Sequence, residues 1–159
     1  MPKLRTLTSV GLWLLLFGAF YLVFTGRLNP NTAEKLGTSD QVVLVRDPSG
    51  HYHAEAFIDG TKAYVLVDTG ATDVAITQEL ANKVGVRSHN AIQTQTANGN
   101  GVGYMTRLAS VKLGGIEASD VAATIVPNLS GVDALLGMSF LSRMDVRLYK
   151  GTMTIRQAD

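Results

Sequence analysis

The sequence predicts an all-β domain, mainly antiparallel, with two short helices, preceded by one transmembrane helix. Three observations lead there. The pairs Asp59-Gly60 and Lys150-Gly151 each lie between apolar or alternating runs, and such residues favour the tight turns that join antiparallel strands. The stretch "HYHAEAFI" alternates in polarity, the period of a strand with one buried face. Finally, Leu7 to Phe24 runs 18 residues without a charge.

That run would span about 27 Å as a helix, just short of a hydrocarbon core of about 30 Å. Lys3 and Arg5 precede it and Arg27 follows. The excess of positive charge on the N-terminal side leaves residues 1–6 in the cytoplasm and sends the rest across. The length of the run, and the lack of a small-x-small site in "TGRLNP", favour an uncleaved signal anchor over residues 7–24 rather than a cleaved signal peptide. Trp13 and Tyr21 are then lipid-facing or interfacial. Residues 25–40, "TGRLNPNTAEKLGTSD", are polar and without periodicity, and read as a linker.

The domain is expected over residues 41–159. "QVVLV" is a short apolar strand; "HYHAEAFI" turns at Asp59-Gly60 into "TKAYVLV". "AIQTQTA" and "VGYMTRL" flank Asn98-Gly99-Asn100-Gly101, which is expected to be the permissive tip of a second hairpin. "ASVKL", Gly114-Gly115 and "IEASDVAATIV" suggest a third. In "TQELANKVG", Thr77 is placed to cap a short helix and Gly85 to stop it. "GMSFLSRM" suggests a second helix, and "DVRLYKGTMTIRQ" a closing hairpin.

Composition removes several functions. Lys and Arg number 14 against 13 Asp and Glu, with no basic stripe, so nucleic acid is not an expected partner. The absence of cysteine excludes a thiol nucleophile, a thiolate metal site and disulfides. No G-x-S-x-G, H-E-x-x-H, P-loop or Rossmann glycine pattern occurs. His51 and His53 share a strand face at a spacing that a metal could use, but no third ligand is evident, so they read as solvated surface residues. His89 lies in a loop-like stretch. Neither a metal nor a cofactor is expected.

One ionisable residue stands out. The apolar run Tyr64-Val65-Leu66-Val67 delivers Asp68 into a turn of small residues. Thr69 and Thr72 offer hydroxyls there, Gly70 permits close backbone approach, and Ala71 is small. Taken alone, an Asp-Thr-Gly turn is as readily structural, its carboxylate bonding nearby amides. Much later "DALLGMSFL" places Leu135-Leu136 before Gly137 and a short helix.

This ordered set resembles the retropepsin-like (clan AA) aspartic proteases, single-domain relatives of pepsin, and most of all their bacterial, membrane-anchored members. The resemblance covers about Gln41 to Gln157: the Asp68-Thr69-Gly70-Ala71-Thr72 loop, a flap hairpin, and the Leu135-Leu136-Gly137 segment. It implies a retropepsin-like barrel and an endopeptidase of the inner membrane, single-pass, with its domain on the periplasmic side. Peptide hydrolysis by this route needs two carboxylates sharing one proton around a water. One chain supplies one, so the resemblance implies a homodimer with Asp68 of each copy on the two-fold axis.

By the same resemblance Thr69 would cross-bond the two loops, Gly70 would leave room for substrate backbone, and Thr72 would hydrogen-bond near the carboxylates or substrate. Leu135, Leu136 and Gly137 would pack behind the loop. Asn98, Gly99, Asn100, Gly101, Val102 and Gly103 would close over a bound polypeptide. Asp73 reads equally as a contact to substrate main chain or as a solvated or capping group. Asp133 and Asp145 read as structural. Viral members carry Asp where Thr72 stands and Arg where Met138 stands, so an ion pair that supports their dimer is missing here. Tethering of two copies in one membrane would raise their effective concentration. The alternative reading is a dimeric peptide-binding module of the same fold that does not cut. Phosphoryl transfer through an aspartyl nucleophile would need Mg²⁺ ligands and a larger parallel α/β domain.

Overall fold

The computed structural model of the chain describes residues 11–21, 31–96 and 99–158. The chain divides into two compact units, Met1–Pro30 and Asn31–Asp159. In the first, residues 11–21 form helix α1, with Leu, Phe and Trp side chains exposed around it. Residues 7–10 and 22–24 of the expected span lie outside the described residues. Among the described residues no helix is long and apolar enough to cross a membrane.

Among its described residues the second unit holds ten strands and three short helices: α2 (Ala33–Leu36), β1 (Gln41–Val45), β2 (His53–Ile58), β3 (Thr61–Val67), β4 (Val74–Ile76), α3 (Gln78–Val84), β5 (Ala91–Thr96), β6 (Gly99–Leu113), β7 (Ile116–Ile125), β8 (Ala134–Leu136), α4 (Met138–Leu141), β9 (Met144–Tyr149) and β10 (Thr152–Gln157). Strands β2-β3-β8-β4-β7-β6 lie side by side, and a further β2–β6 pairing closes them into a ring from which β5 extends. A separate three-stranded sheet has the order β1-β10-β9.

Local chemistry accounts for the hairpins. Asp59 and Gly60 take φ of 46° and 78°, and Lys150 and Gly151 take 44° and 82°, the paired positive values that two-residue hairpins require. The Asp59 carboxylate also accepts the Ser110 N–H at 2.7 Å, fastening this turn to β6. Alternation then sets the faces. Ala54, Ala56 and Ile58 of β2 and Ala63, Val65 and Val67 of β3 point into a core centred on Phe140, Leu108, Leu113 and Leu136. Thr77 caps α3 by accepting the Leu80 N–H at 3.1 Å, and Gly85 ends it in the left-handed region.

Three features differ from the sequence reading. Strand pairing already begins within the expected hairpin tip, where Thr96 pairs with Gly99. Gly99, Asn100 and Gly101 therefore open strand β6, while Asn98 lies outside the described residues. Gly99 takes a φ of 102° with open space around it, whereas Gly103 serves packing: a Cβ there would lie 2.6 Å from Thr124 Cγ2 and 2.7 Å from Thr94 Cγ2. The described residues of the domain also hold a third short helix, α2, where two were expected; the sheet is mainly antiparallel as expected, with β3–β8 and β4–β7 as its parallel pairings.

Third, the compact unit begins at Asn31 rather than at Gln41. The buried Asn31 amide donates to the Val45 and His53 carbonyls at 2.9 and 2.8 Å, and its oxygen accepts the Val45 N–H at 2.8 Å. Glu55 fixes the start of α2 by accepting the Ala33 N–H at 2.9 Å. The second half of the presumed linker is thus a strap tied across β1 and β2.

His51 precedes β2, and His53 turns its ring into a half-buried niche instead of sharing an exposed face with it. There it stacks on Tyr64 at 5.2 Å between ring centres and hydrogen-bonds Asp47. Burial would raise the Asp47 carboxyl, but hydrogen bonds from Ser49, the His51 N–H and His53 outweigh it and hold the group well below the usual range. Glu55 moves the same way: burial raises it, and the Ala33 N–H and Lys62 lower it further. A carboxylate depressed in the folded state stabilises above its unfolded pKa of about 4, and that stability is lost as pH falls through the folded value. Urea melts at pH 6 and pH 3 are therefore expected to show a smaller acid loss for Asp47→Asn than for the parent chain. Equal losses would contradict the assignment.

Candidate active site

The loop from Asp68 to Asp73 joins β3 to β4, and β8 runs between those two strands. The Asp68 N–H donates to the Leu136 carbonyl at 3.1 Å, so the residue leaves β3 still tied to β8. Its Oδ1 accepts the Gly70 N–H at 2.8 Å. The carboxylate is only half-buried, which leaves its second oxygen able to act elsewhere.

Helix α4 holds the far side of the loop. Its first amides, Met138 and Ser139, donate to the Ala71 and Thr72 carbonyls at 2.8 and 2.9 Å. Helix-start N–H groups have no partner within their own helix, and here the loop supplies one. The Ser139 hydroxyl accepts the Val74 N–H at 2.9 Å and donates to the Ala122 carbonyl at 2.7 Å, which locks β4, β7 and α4 together. Gly137 sits against the loop so closely that a Cβ there would lie 2.2 Å from the Asp73 carbonyl oxygen.

A cleft of about 610 Å³ opens over the loop, with Asp68, Gly70, Ala71, Thr72 and Asp73 along its floor. Thr69 is exposed and is not part of the lining. Among the sequence-predicted support residues, Leu136 and Gly137 are buried behind the loop, whereas Leu135 faces the cleft. The period of two in β8 separates them. The β5–β6 hairpin contributes Ile92, Gln93, Thr94 and Gln95 of β5; residues 99–103 of β6 do not line the space. Val126, Asn128 and Leu129, which follow β7, complete a mixed wall that the sequence reading did not identify. Ser139 was also missed; the signal available for it was a hydroxyl two residues after the glycine. Among the described residues no three His, Asp or Glu side chains cluster as a metal site would require.

The chain matches the family described as "gag-polyprotein putative aspartyl protease" over residues 54–143, more than half of its 159 residues. The chain belongs to the retropepsin-like aspartic protease family. The structure of a retropepsin-like aspartic protease from Rickettsia conorii superposes on this retropepsin-like chain with a TM-score of 0.64 at 30% identity, covering 74% of this chain and 90% of the other. An uncharacterized protein from the cobV 5′ region of a Sinorhizobium species is 35% identical over 109 residues, 67% of this chain and 47% of the relative. An uncharacterized protein of Rickettsia prowazekii (strain Madrid E) is 34% identical over 107 residues, 65% of this chain and 45% of the relative. The chain spans about half the length of these curated relatives. The family match takes in the β3–β4 loop, β8 and α4, the elements that hold Asp68.

Proposed function

We propose that this retropepsin-like chain is a membrane-anchored aspartic endopeptidase, active as a homodimer in which Asp68 of each copy shares the catalytic work. The observation that carries the reading is one half-exposed carboxylate, held by Gly70 at the floor of a strand-lined cleft. Two such groups a few Å apart cannot both ionise cheaply, so the pair retains one proton. The ionised member then draws a proton from a water while the other donates to the peptide carbonyl. No metal or cofactor enters this scheme. An extended peptide suits a cleft walled by strand β5 and the segment after β7.

The anchor rests on the apolar run of residues 7–24 and the preceding Lys3 and Arg5, with apolar side chains all round the described part of α1. In this reading the domain acts on the extracytoplasmic side of the inner membrane.

The test is the concentration dependence of cleavage. The full chain, in detergent and over a hundredfold range of concentration, is incubated with a mixed peptide library from pH 4 to 7.5, and products are read by mass spectrometry. Specific activity is expected to rise with concentration until dimers saturate. Constant specific activity would remove the dimer from the mechanism. Peptide binding without any cleavage, from a sample that sediments as a dimer, would leave a binding module.

A further inference from the structure

We infer that Asp73 selects a basic side chain, Lys or Arg, in the peptide held by this cleft. The inference rests on the protease reading and names a preference at that same site. Among the described residues that line the cleft, Asp68 and Asp73 are the only charged ones. The other walls are apolar, such as Leu66, Ile92, Val126 and Leu135, or neutral and polar. Among the described residues no lysine or arginine lines the space, so none of them competes for Asp73.

The Asp73 side chain makes no hydrogen bond or ion pair with any described residue, although its backbone is among the most firmly held in the site. Its carbonyl packs against Gly137, and the next residue, Val74, donates its N–H to Ser139. The carboxylate is therefore presented from a fixed point rather than from a mobile loop tip, the condition for a selective contact. Asp68 differs, since its carboxylate already accepts the Gly70 N–H.

The physical argument concerns water. Asp73 is half-buried, and a peptide laid along the cleft would strip more water from it. A carboxylate covered without a partner is costly, and a cation brought by the peptide removes that cost. Lys and Arg suit the geometry because their aliphatic stems can lie along the apolar wall while the charged head reaches the acid. An uncharged main-chain N–H could also bond Asp73, but it would leave the negative charge of the cleft uncompensated. The two contacts differ in what they discriminate. A main-chain contact serves every peptide alike, whereas a side-chain contact serves only basic ones. In a two-fold dimer the second copy presents its own Asp73, so the preference recurs at two positions placed symmetrically about the scissile bond.

The experiment uses the full chain and a set of fluorescent octapeptides with norleucine at every varied position, replaced by lysine one position at a time. Binding is read by anisotropy on the Asp68→Asn chain, and cleavage on the parent chain. Lysine is expected to bind about tenfold more tightly than norleucine at the sensitive positions, with the ratio shrinking as salt rises. Asp73→Asn, which preserves shape, should collapse that ratio, and Asp73→Lys should transfer the preference to glutamate. A parent chain indifferent to lysine would overturn the inference. So would a ratio that survives Asp73→Asn, or a loss in that variant equal for all peptides. The protease reading fails separately: a lysine preference in binding with no cleavage keeps Asp73 in this role and refutes catalysis. A single sensitive position instead of a symmetric pair keeps Asp73 and refutes the dimer.

Discussion

Asp68→Asn is expected to lower peptide cleavage by about a thousandfold while leaving the fold intact. The asparagine Oδ1 can still accept the Gly70 N–H now bonded at 2.8 Å, and the backbone N–H can still reach the Leu136 carbonyl. What disappears is the group that takes and returns a proton. Urea melts of variant and parent should agree within about 1 kcal/mol, so lost activity cannot be charged to unfolding. Mixing the two chains at constant total concentration adds a second test. If each active site draws one Asp68 from each of two copies, activity falls as the square of the parent fraction, because a mixed pair has only one carboxylate. A linear fall would show that each chain works alone, and the two-fold site would have to be abandoned.

Much of the architecture could be read from local signals. Positive-φ turns at Asp59-Gly60 and Lys150-Gly151, the Thr77 cap and the Gly85 stop depend on neighbours within a few residues, and the structure places each where its chemistry calls for it. The turn at Asn98 to Gly101 misled for a physical reason. Gly99 has the positive φ of 102° that a turn residue favours, yet it already pairs with Thr96; Gly103 is instead required where Thr94 and Thr124 leave no space for a side chain. Composition cannot separate those uses.

Other features were hidden by distance along the chain. Asn31 sits in a polar stretch indistinguishable from a linker, and its role exists only because folding brings Val45 and His53 to its amide. Asp47 finds His53 in the same way. In the site, Asp68 was conspicuous because an acid after four apolar residues is unusual. Ile92, Thr94 and Asn128 gave no such signal, since they join the cleft only through the pairing of β5, β6 and β7. Leu135 is a different case. Alternation within "ALL" already turns it away from Ala134 and Leu136, so its place on the cleft wall was legible once β8 was treated as a strand.

Gly137→Ala is expected to have the largest effect on stability of any single-methyl change near the site. The added Cβ would lie 2.2 Å from the Asp73 carbonyl oxygen, 2.7 Å from that of Ala71 and 2.8 Å from the Asp73 carbonyl carbon. All three are backbone atoms, so no side chain can swing aside to relieve them. Relief requires α4 to move away from the loop, and that strains the bonds from Met138 and Ser139 to Ala71 and Thr72. A loss of about 3 kcal/mol or more is expected in urea melts, at the upper end of overpacking penalties, together with loss of cleavage. Gly70→Ala is the informative comparison. Its nearest neighbour would be Asp68 Oδ1 at 3.1 Å, the end of a side chain that can rotate. That variant should melt close to the parent yet lose activity, because the carboxylate must leave its hydrogen-bonded position to make room. If Gly137→Ala instead melted within 1 kcal/mol of the parent, the loop could not be held as tightly as the α4 contacts imply. The fixed presentation of Asp68 and Asp73 would then need another source.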